Sequence, residues 1–305
     1  MSVPAAAEHE PADVALLTGP EAGPMLEAAL ATEGARLGRW AVHTVHHRPG
    51  AGVTVGYTAT VVRHAQDAEG HEEYLCATTA RLSRTDVPAL VRLESADGGP
   101  VVHLWRHPAD PELPALAVAC DAAQLTERLG ITVSVELLTY RPTRRAVLRV
   151  RQADGATAYA KVVRPDTLDA LAERHRMLTR AGVPAPEVLR ADDDGLVLLA
   201  EGRGTPLANL LARQRGAELD DPSTADRTLG TLVTVLDAMP ADVTELPRRP
   251  AWSERARHYA HAAATVLPEH RPRTELLADG IEEMLARSDP GPVVPTHGDF
   301  YEANL

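Results

Sequence analysis

Two residues near the end of this 305-residue chain have the types and spacing for phosphoryl chemistry. Asp299 follows His297 and Gly298, and Asn304 stands five positions later, giving H-G-D-x-x-x-x-N. A carboxylate at the Asp can accept the proton of an attacking hydroxyl. A neutral amide oxygen at the Asn is a hard ligand that suits Mg2+ without adding negative charge. His297 is read as holding the loop by hydrogen bonds, and Phe300, the one Phe in the chain, as packing beneath it. The plainer alternative is a surface turn in which Asp and Asn serve the backbone. A third residue stands out by rarity. Lys161, in "TAYAKVV", is the only lysine, whereas every other Lys-or-Arg position is Arg. It marks either a site that needs a compact point charge rather than a planar fork, or a strand cation left over from a coding bias toward Arg.

Bulk properties narrow the field. The hydrophobic content of 44% and charged content of 24% are those of a globular domain, and aromatics at 3% leave the core to Ala, Val and Leu. A net charge of −12 argues against non-specific nucleic-acid binding. Cys76 and Cys120 are the only cysteines, too few for a disulfide framework or a structural zinc site, so a reducing cytoplasm is expected. The histidines, including the His46-His47 pair, have no metal-ligand spacing. No apolar run is long enough for a membrane span, and the first residues lack the features of a signal peptide. Residues 1 to about 12 read as a loose tail.

The elements that must position these groups fall into a repeated order. Residues 14–38 read as helical, and 40–62 as two strands around "RPGAG". "EEYLCATTARL" and "PVVHLWRH" are further strands, and "DPELPALAVACDAAQLTERLG" a helical stretch ending at Gly130. "VSVELLTYRPTRRAVLRV" then gives a strand, an Arg-Pro turn and a strand, and "ATAYAKVVRP" another strand. Val42 to Pro49 and Val135 to Pro142 both read V-x-x-[VL]-x-[HY]-R-P. Tyr74 precedes Cys76 as Tyr159 precedes Lys161, which suggests a duplicated sheet or a chance recurrence of Arg-Pro hairpins. Beyond Pro165 a helix capped by Asp166 or Thr167 runs toward Gly182, and "GLVLLAEG" is a short buried strand. Helices are expected at 206–214, 223–239, 252–266 and 274–287, and "GPVVPTHGDFYEANL" as a short apolar strand entering a polar loop. The class is α+β.

Residues 131 to 305 resemble the aminoglycoside phosphotransferase family, a branch of the protein-kinase-like fold. "AYAKVV", "ERHRMLTRAGVPAPEVL", "LVLLAEGRGTPL" and "THGDFYEANL" carry the resemblance, in that order. Residues 1 to about 127 resemble the N-terminal cap of some bacterial sugar kinases of this fold, such as maltokinases. The resemblance implies three parts: a cap at 1–127, which the repeated strand pattern offers as a degenerate copy of the lobe that follows; an antiparallel-sheet lobe at 128–203; and a partial helical lobe at 204–305. It implies an ATP- and Mg2+-dependent transfer of the γ-phosphate to a hydroxyl of a small molecule, an aminoglycoside or a sugar. The alternative is an inactive kinase fold that binds a nucleotide or a partner.

The resemblance also implies roles. Lys161 would hold the α- and β-phosphates, and Glu173 on the next helix would pair with it. Ala200 and Glu201 would lie in the connector whose backbone reads the adenine edge. Arg144 and Arg145, in the glycine-free "RPTRR" turn, would supply charge where the family uses backbone amides. Asp299 would be the catalytic base, with His297 supporting its loop and Asn304 binding the metal. The sequence stops one residue after Asn304, before the strand on which the family carries a second metal-binding Asp. This implies a C-terminally truncated form with weak or no transfer. Neither nucleic acid nor membrane is an expected partner, and the oligomeric state is left open.

Overall fold

The computed structural model describes residues 6–47, 50–63, 69–94, 98–216, 222–248 and 250–305. Two helices, α1 (Ala6–Thr18) and α2 (Ala22–Ala31), precede β1 (Arg36–His47), β2 (Val53–Val62), β3 (His71–Thr78), β4 (Val91–Leu93) and β5 (Val102–Arg106). These strands form an antiparallel sheet in the order β1-β2-β3-β5-β4. A second pair of helices, α3 (Leu116–Cys120) and α4 (Ala122–Leu129), precedes β6 (Val133–Arg141), β7 (Arg145–Gln152) and β8 (Thr157–Val163). Then come α5 (Pro165–Arg180), β9 (Val188–Asp192) and β10 (Leu196–Ala200). The second sheet has the order β6-β7-β8-β10-β9, the same path as the first.

The repeated sequence pattern falls on the first strand of each sheet, and the Tyr-x-Cys and Tyr-x-Lys pairs on the third. This is the topology a duplicated unit would leave. The Arg48-Pro49 end of the first copy lies outside the described residues. The halves differ between their third and fourth strands, where the second carries α5 and the first no regular element.

Strand alternation decides the packing, since successive side chains point to opposite faces. Val53, Val55, Tyr57, Ala59 and Val61 bury one face of β2 against Leu17, Leu26 and Leu30 of α1 and α2. In the second sheet Ala146, Leu148, Val150, Ala158, Ala160 and Val162 bury the equivalent face against Leu116, Ala119 and Leu125 of α3 and α4. Each such Val or Leu contributes about 1.5–3 kcal/mol on burial. Gly130 ends α4 in the left-handed region, at φ 69°. The expected break at residue 127 would cut α3 and α4 from the sheet they cover, so we propose that the division falls between His107 and Glu112.

Several expectations change. Residues 6–12 belong to α1 rather than to a tail. Glu10 is buried there, and its carboxylate accepts the N–H of Gly50 (3.0 Å) and of Gly52 (2.8 Å) and meets His47 Nε2 at 3.0 Å. Those partners offset the cost of burying a charge. The α5 cap is Arg164, with Pro165 at the first helical position, so Asp166 and Thr167 already lie inside the helix. Residues 291–297 form no strand: Pro292 and Pro295 flank Val293 and Val294, which are exposed.

The chain continues in α6 (Leu207–Gly216), α7 (Pro222–Asp237), α8 (Ala256–Val266) and α9 (Arg271–Arg287). Arg257 of α8 bridges Asp279 and Glu282 of α9. These helices leave Leu229, Val233, Leu276 and Met284 exposed. An antiparallel sheet followed by helices is the order of the protein-kinase-like fold. None of the described helices is long and apolar enough to cross a membrane.

Candidate functional site

Lys161 lies in the middle of β8, opposite Val147 of β7 and Val197 of β10. Its neighbours Ala160 and Val162 enter the core beneath α3 and α4, so Lys161 projects from the other face of the sheet. Arg145 starts β7 opposite Val163 and is a diagonal neighbour of Lys161 on that face. Helix α5 covers the same face, where Leu168 packs with Val163, Val197 and Leu199, and Leu171 joins them.

The phase of α5 then decides which charges meet the lysine. Residues advance about 100° each around a helix, so Arg174 and His175, three and four after Leu171, share its side. Glu173 lies about 200° from Leu171 on this count, nearly opposite. It pairs instead with Arg180 at 2.7 Å. The expected Lys161–Glu173 pair is therefore absent, and Lys161 has no carboxylate partner among the described residues. Burial, then Arg145 and Arg174, hold its ammonium below the ordinary lysine value. His175 donates Nδ1–H to the Pro186 carbonyl at 2.9 Å, with its imidazole held low chiefly by burial.

A pH dependence follows. An anion beside Lys161 favours the charged amine, so its pKa rises on binding. Burial holds the His175 imidazole low, so above neutrality the incoming proton goes to Lys161. Affinity for inorganic triphosphate, used as a probe anion, is expected to fall as pH rises through the lysine's depressed value, with proton uptake on binding. Calorimetry in two buffers of different ionisation heat reads that uptake, which Lys161→Ala should remove.

The turn that delivers Arg145 is unusual. Arg144 N–H donates to the Arg141 carbonyl at 3.0 Å, with Pro142 and Thr143 between them. Thr143 has φ 61°, the left-handed setting that glycine normally supplies at this place in a type II turn. A buried carboxylate holds it there. Asp110 Oδ2 accepts Thr143 N–H and the Tyr140 hydroxyl, both at 2.7 Å, and Oδ1 accepts Glu112 N–H at 2.9 Å. Trp105 of β5 donates its indole N–H to the Tyr140 hydroxyl at 3.1 Å. The hairpin tip of the second sheet is thus docked on the first. Arg144 lines a polar cleft between them, with His46, Thr54 and Thr143. The two arginines expected to act together therefore take different surroundings.

In the connector, Ala200 N–H is committed to the Glu187 carbonyl at 2.8 Å, and Glu201 is exposed. That amide is not available to an adenine edge.

The final loop brings its two chemical residues into contact. Gly298, at φ 77°, makes the turn between His297 and Asp299. Asn304 donates Nδ2–H to Asp299 Oδ2 at 3.0 Å and to the Asp299 carbonyl at 2.9 Å. Its amide oxygen is left as the acceptor for a hard cation. His297 packs edge-on against Phe300 with ring centroids 5.5 Å apart, so its contact is aromatic. Leu207 N–H donates to the Leu305 carbonyl at 2.8 Å and fastens the loop to α6. Among the described residues no cluster of three or more His, Cys, Asp or Glu could hold a metal alone. The Asn304 amide oxygen still fits Mg2+, which takes oxygen donors and often only one or two protein groups besides substrate phosphates.

Sequence reasoning missed Asp110, Tyr140, Trp105 and Arg174. Asp110, between Pro108 and Pro111, lies in no periodic segment that would mark it as buried. Arg174 is adjacent to the glutamate chosen instead, and only the helix phase separates them.

The model of the phosphotransferase enzyme family (APH) matches residues 137–305, from β6 through the Asp299 loop. No curated protein matches the chain. The match covers more than half of the chain and includes both Lys161 and the Asp299–Asn304 loop, so the chain belongs to the phosphotransferase enzyme family.

Proposed function

We propose that the protein transfers the γ-phosphate of ATP to a hydroxyl of a small molecule, an aminoglycoside or a sugar. The observation that carries this reading is the paired Asp299 and Asn304, in a loop within the family match. On this reading Lys161 and Arg145 bind the nucleotide phosphates, and Asp299 orients the acceptor hydroxyl and takes its proton. Asn304 offers its amide oxygen to Mg2+, and Glu201 follows the strand that ends the adenine side. His297 supports the loop through Phe300. Bound Mg2+ would neutralise the phosphate charge that develops during transfer. The remaining work of the protein is positioning and electrostatic stabilisation.

A second reading, a nucleotide-binding protein without transfer, is favoured by the missing Lys161–carboxylate pair. Thermal shift with MgATP and measurement of ADP release separate the two. Lys161→Ala is expected to weaken ATP binding about 10- to 100-fold, as for loss of a charge-assisted contact. Binding without ADP release for any sugar or aminoglycoside supports the second reading. An absence of nucleotide binding by the wild type overturns both.

A further inference from the structure

Arg145, Lys161 and Arg174 form a cationic group with no carboxylate in it. The net charge is −12, and ion pairs are common elsewhere on the surface. Yet among the described residues none of these three has an ion-pair partner. The fold enforces their proximity. Lys161 and Arg145 are diagonal neighbours on one face of the sheet. Leu168 and Leu171 press α5 onto that face, and Arg174 follows Leu171 by one turn on the same side. The nearest acid in sequence, Glu173, is turned away and neutralised by Arg180.

Like charges gathered without a counterion destabilise one another. Burial first, and then repulsion by both arginines, depresses the Lys161 ammonium. An acidic chain could have relieved it with one glutamate at position 174. An arginine there makes sense when the counterion is a ligand. A guanidinium offers several N–H donors in a planar fork that matches phosphate oxygens.

We infer that Arg174 is a phosphate-binding residue of the nucleotide site, standing where a carboxylate partner of Lys161 was expected. The inference rests on the nucleotide reading above. The helix therefore contributes a direct ligand to the triphosphate and leaves the lysine without an internal partner. The unliganded site is consequently a ready anion cradle, and protein cations alone give it appreciable affinity for a triphosphate before any metal binds.

The test measures binding of adenosine, AMP, ADP and ATP, and of inorganic triphosphate, by calorimetry with EDTA present. Arg174→Ala is expected to leave adenosine binding unchanged and to weaken ATP and triphosphate about 10-fold or more. The loss should grow with phosphate count, and the salt dependence of ATP binding should become shallower. Arg174→Lys should restore part of the affinity, whereas Arg174→Glu should weaken ATP further than Ala. Arg174 is exposed, and an unchanged melting temperature of each variant checks the fold. If Arg174→Ala or Arg174→Glu binds ATP like the wild type while Lys161→Ala does not, the inference fails and the nucleotide reading stands. If the wild type binds none of these ligands, the nucleotide reading itself fails.

Discussion

Asp299→Ala is expected to lower phosphoryl transfer by about 10²–10⁴-fold, the range for loss of a positioned general base. ATP affinity should hardly change. The carboxylate is exposed and its described side-chain partner is Asn304, so its removal leaves no buried group unsatisfied. The effect should therefore fall on turnover and leave the melting temperature alone. ADP release with a sugar or an aminoglycoside as acceptor, beside calorimetric ATP binding, separates the two quantities. Asp299→Asn is the sharper comparison. It keeps an oxygen facing Asn304 but cannot take the hydroxyl proton, so it should resemble Ala in rate. An Asn variant with the wild-type rate would remove Asp299 from the chemistry.

Asp110→Ala is expected to cost about 2–5 kcal/mol of folding stability. Three donors converge on that carboxylate: the N–H groups of Thr143 and Glu112 and the Tyr140 hydroxyl. Leaving a buried donor unsatisfied costs about 1–3 kcal/mol, and relaxation recovers part of the sum. The side chain itself is only 3% exposed, so water cannot readily replace it. The loss has a local character as well. Thr143 is β-branched and held at a positive φ, a conformation that costs about 1–3 kcal/mol when nothing enforces it. Without its acceptor the turn should relax, and Arg145, two residues on, should lose its fixed aim. Urea denaturation reads the stability, and ATP affinity at low denaturant reads the second effect, expected as a several-fold loss. Unchanged stability would mean that this contact between the sheets is incidental.

Much of the architecture is visible in the residues themselves. Strand β2 is bounded as "VTVGYTATVV" suggests, because β-branched residues alternate between turn-forming neighbours. Lys161, Asp299 and Asn304 stand out because their types are rare in such a context or strictly spaced. The unread parts depend on distant contacts. Strand β4 has three residues and β9 five, too few to establish a period. Glu8, His9 and Glu10 look like a polar tail, but Glu10 is buried because the turn forty residues later needs an acceptor. Glu173 and Arg174 differ by one helical step. Apolar residues occur on both sides of α5, Leu171 on one and Met177 on another, so composition alone leaves its phase ambiguous. Asp110 is some thirty positions from the turn it holds.

The shared path of the two sheets bears on how many ligands one molecule can hold. Each sheet is backed by a helix pair on one side and carries a marked third-strand residue on the other, Cys76 in the first and Lys161 in the second. The face at Cys76 is covered: Tyr140 Oη lies 3.8 Å from its sulfur, and burial pushes the thiol well above its ordinary pKa. The neighbouring half thus covers the place that answers to Lys161. On the proposed reading two like halves hold a single nucleotide site, and titration of the intact chain should saturate at one equivalent of nucleotide.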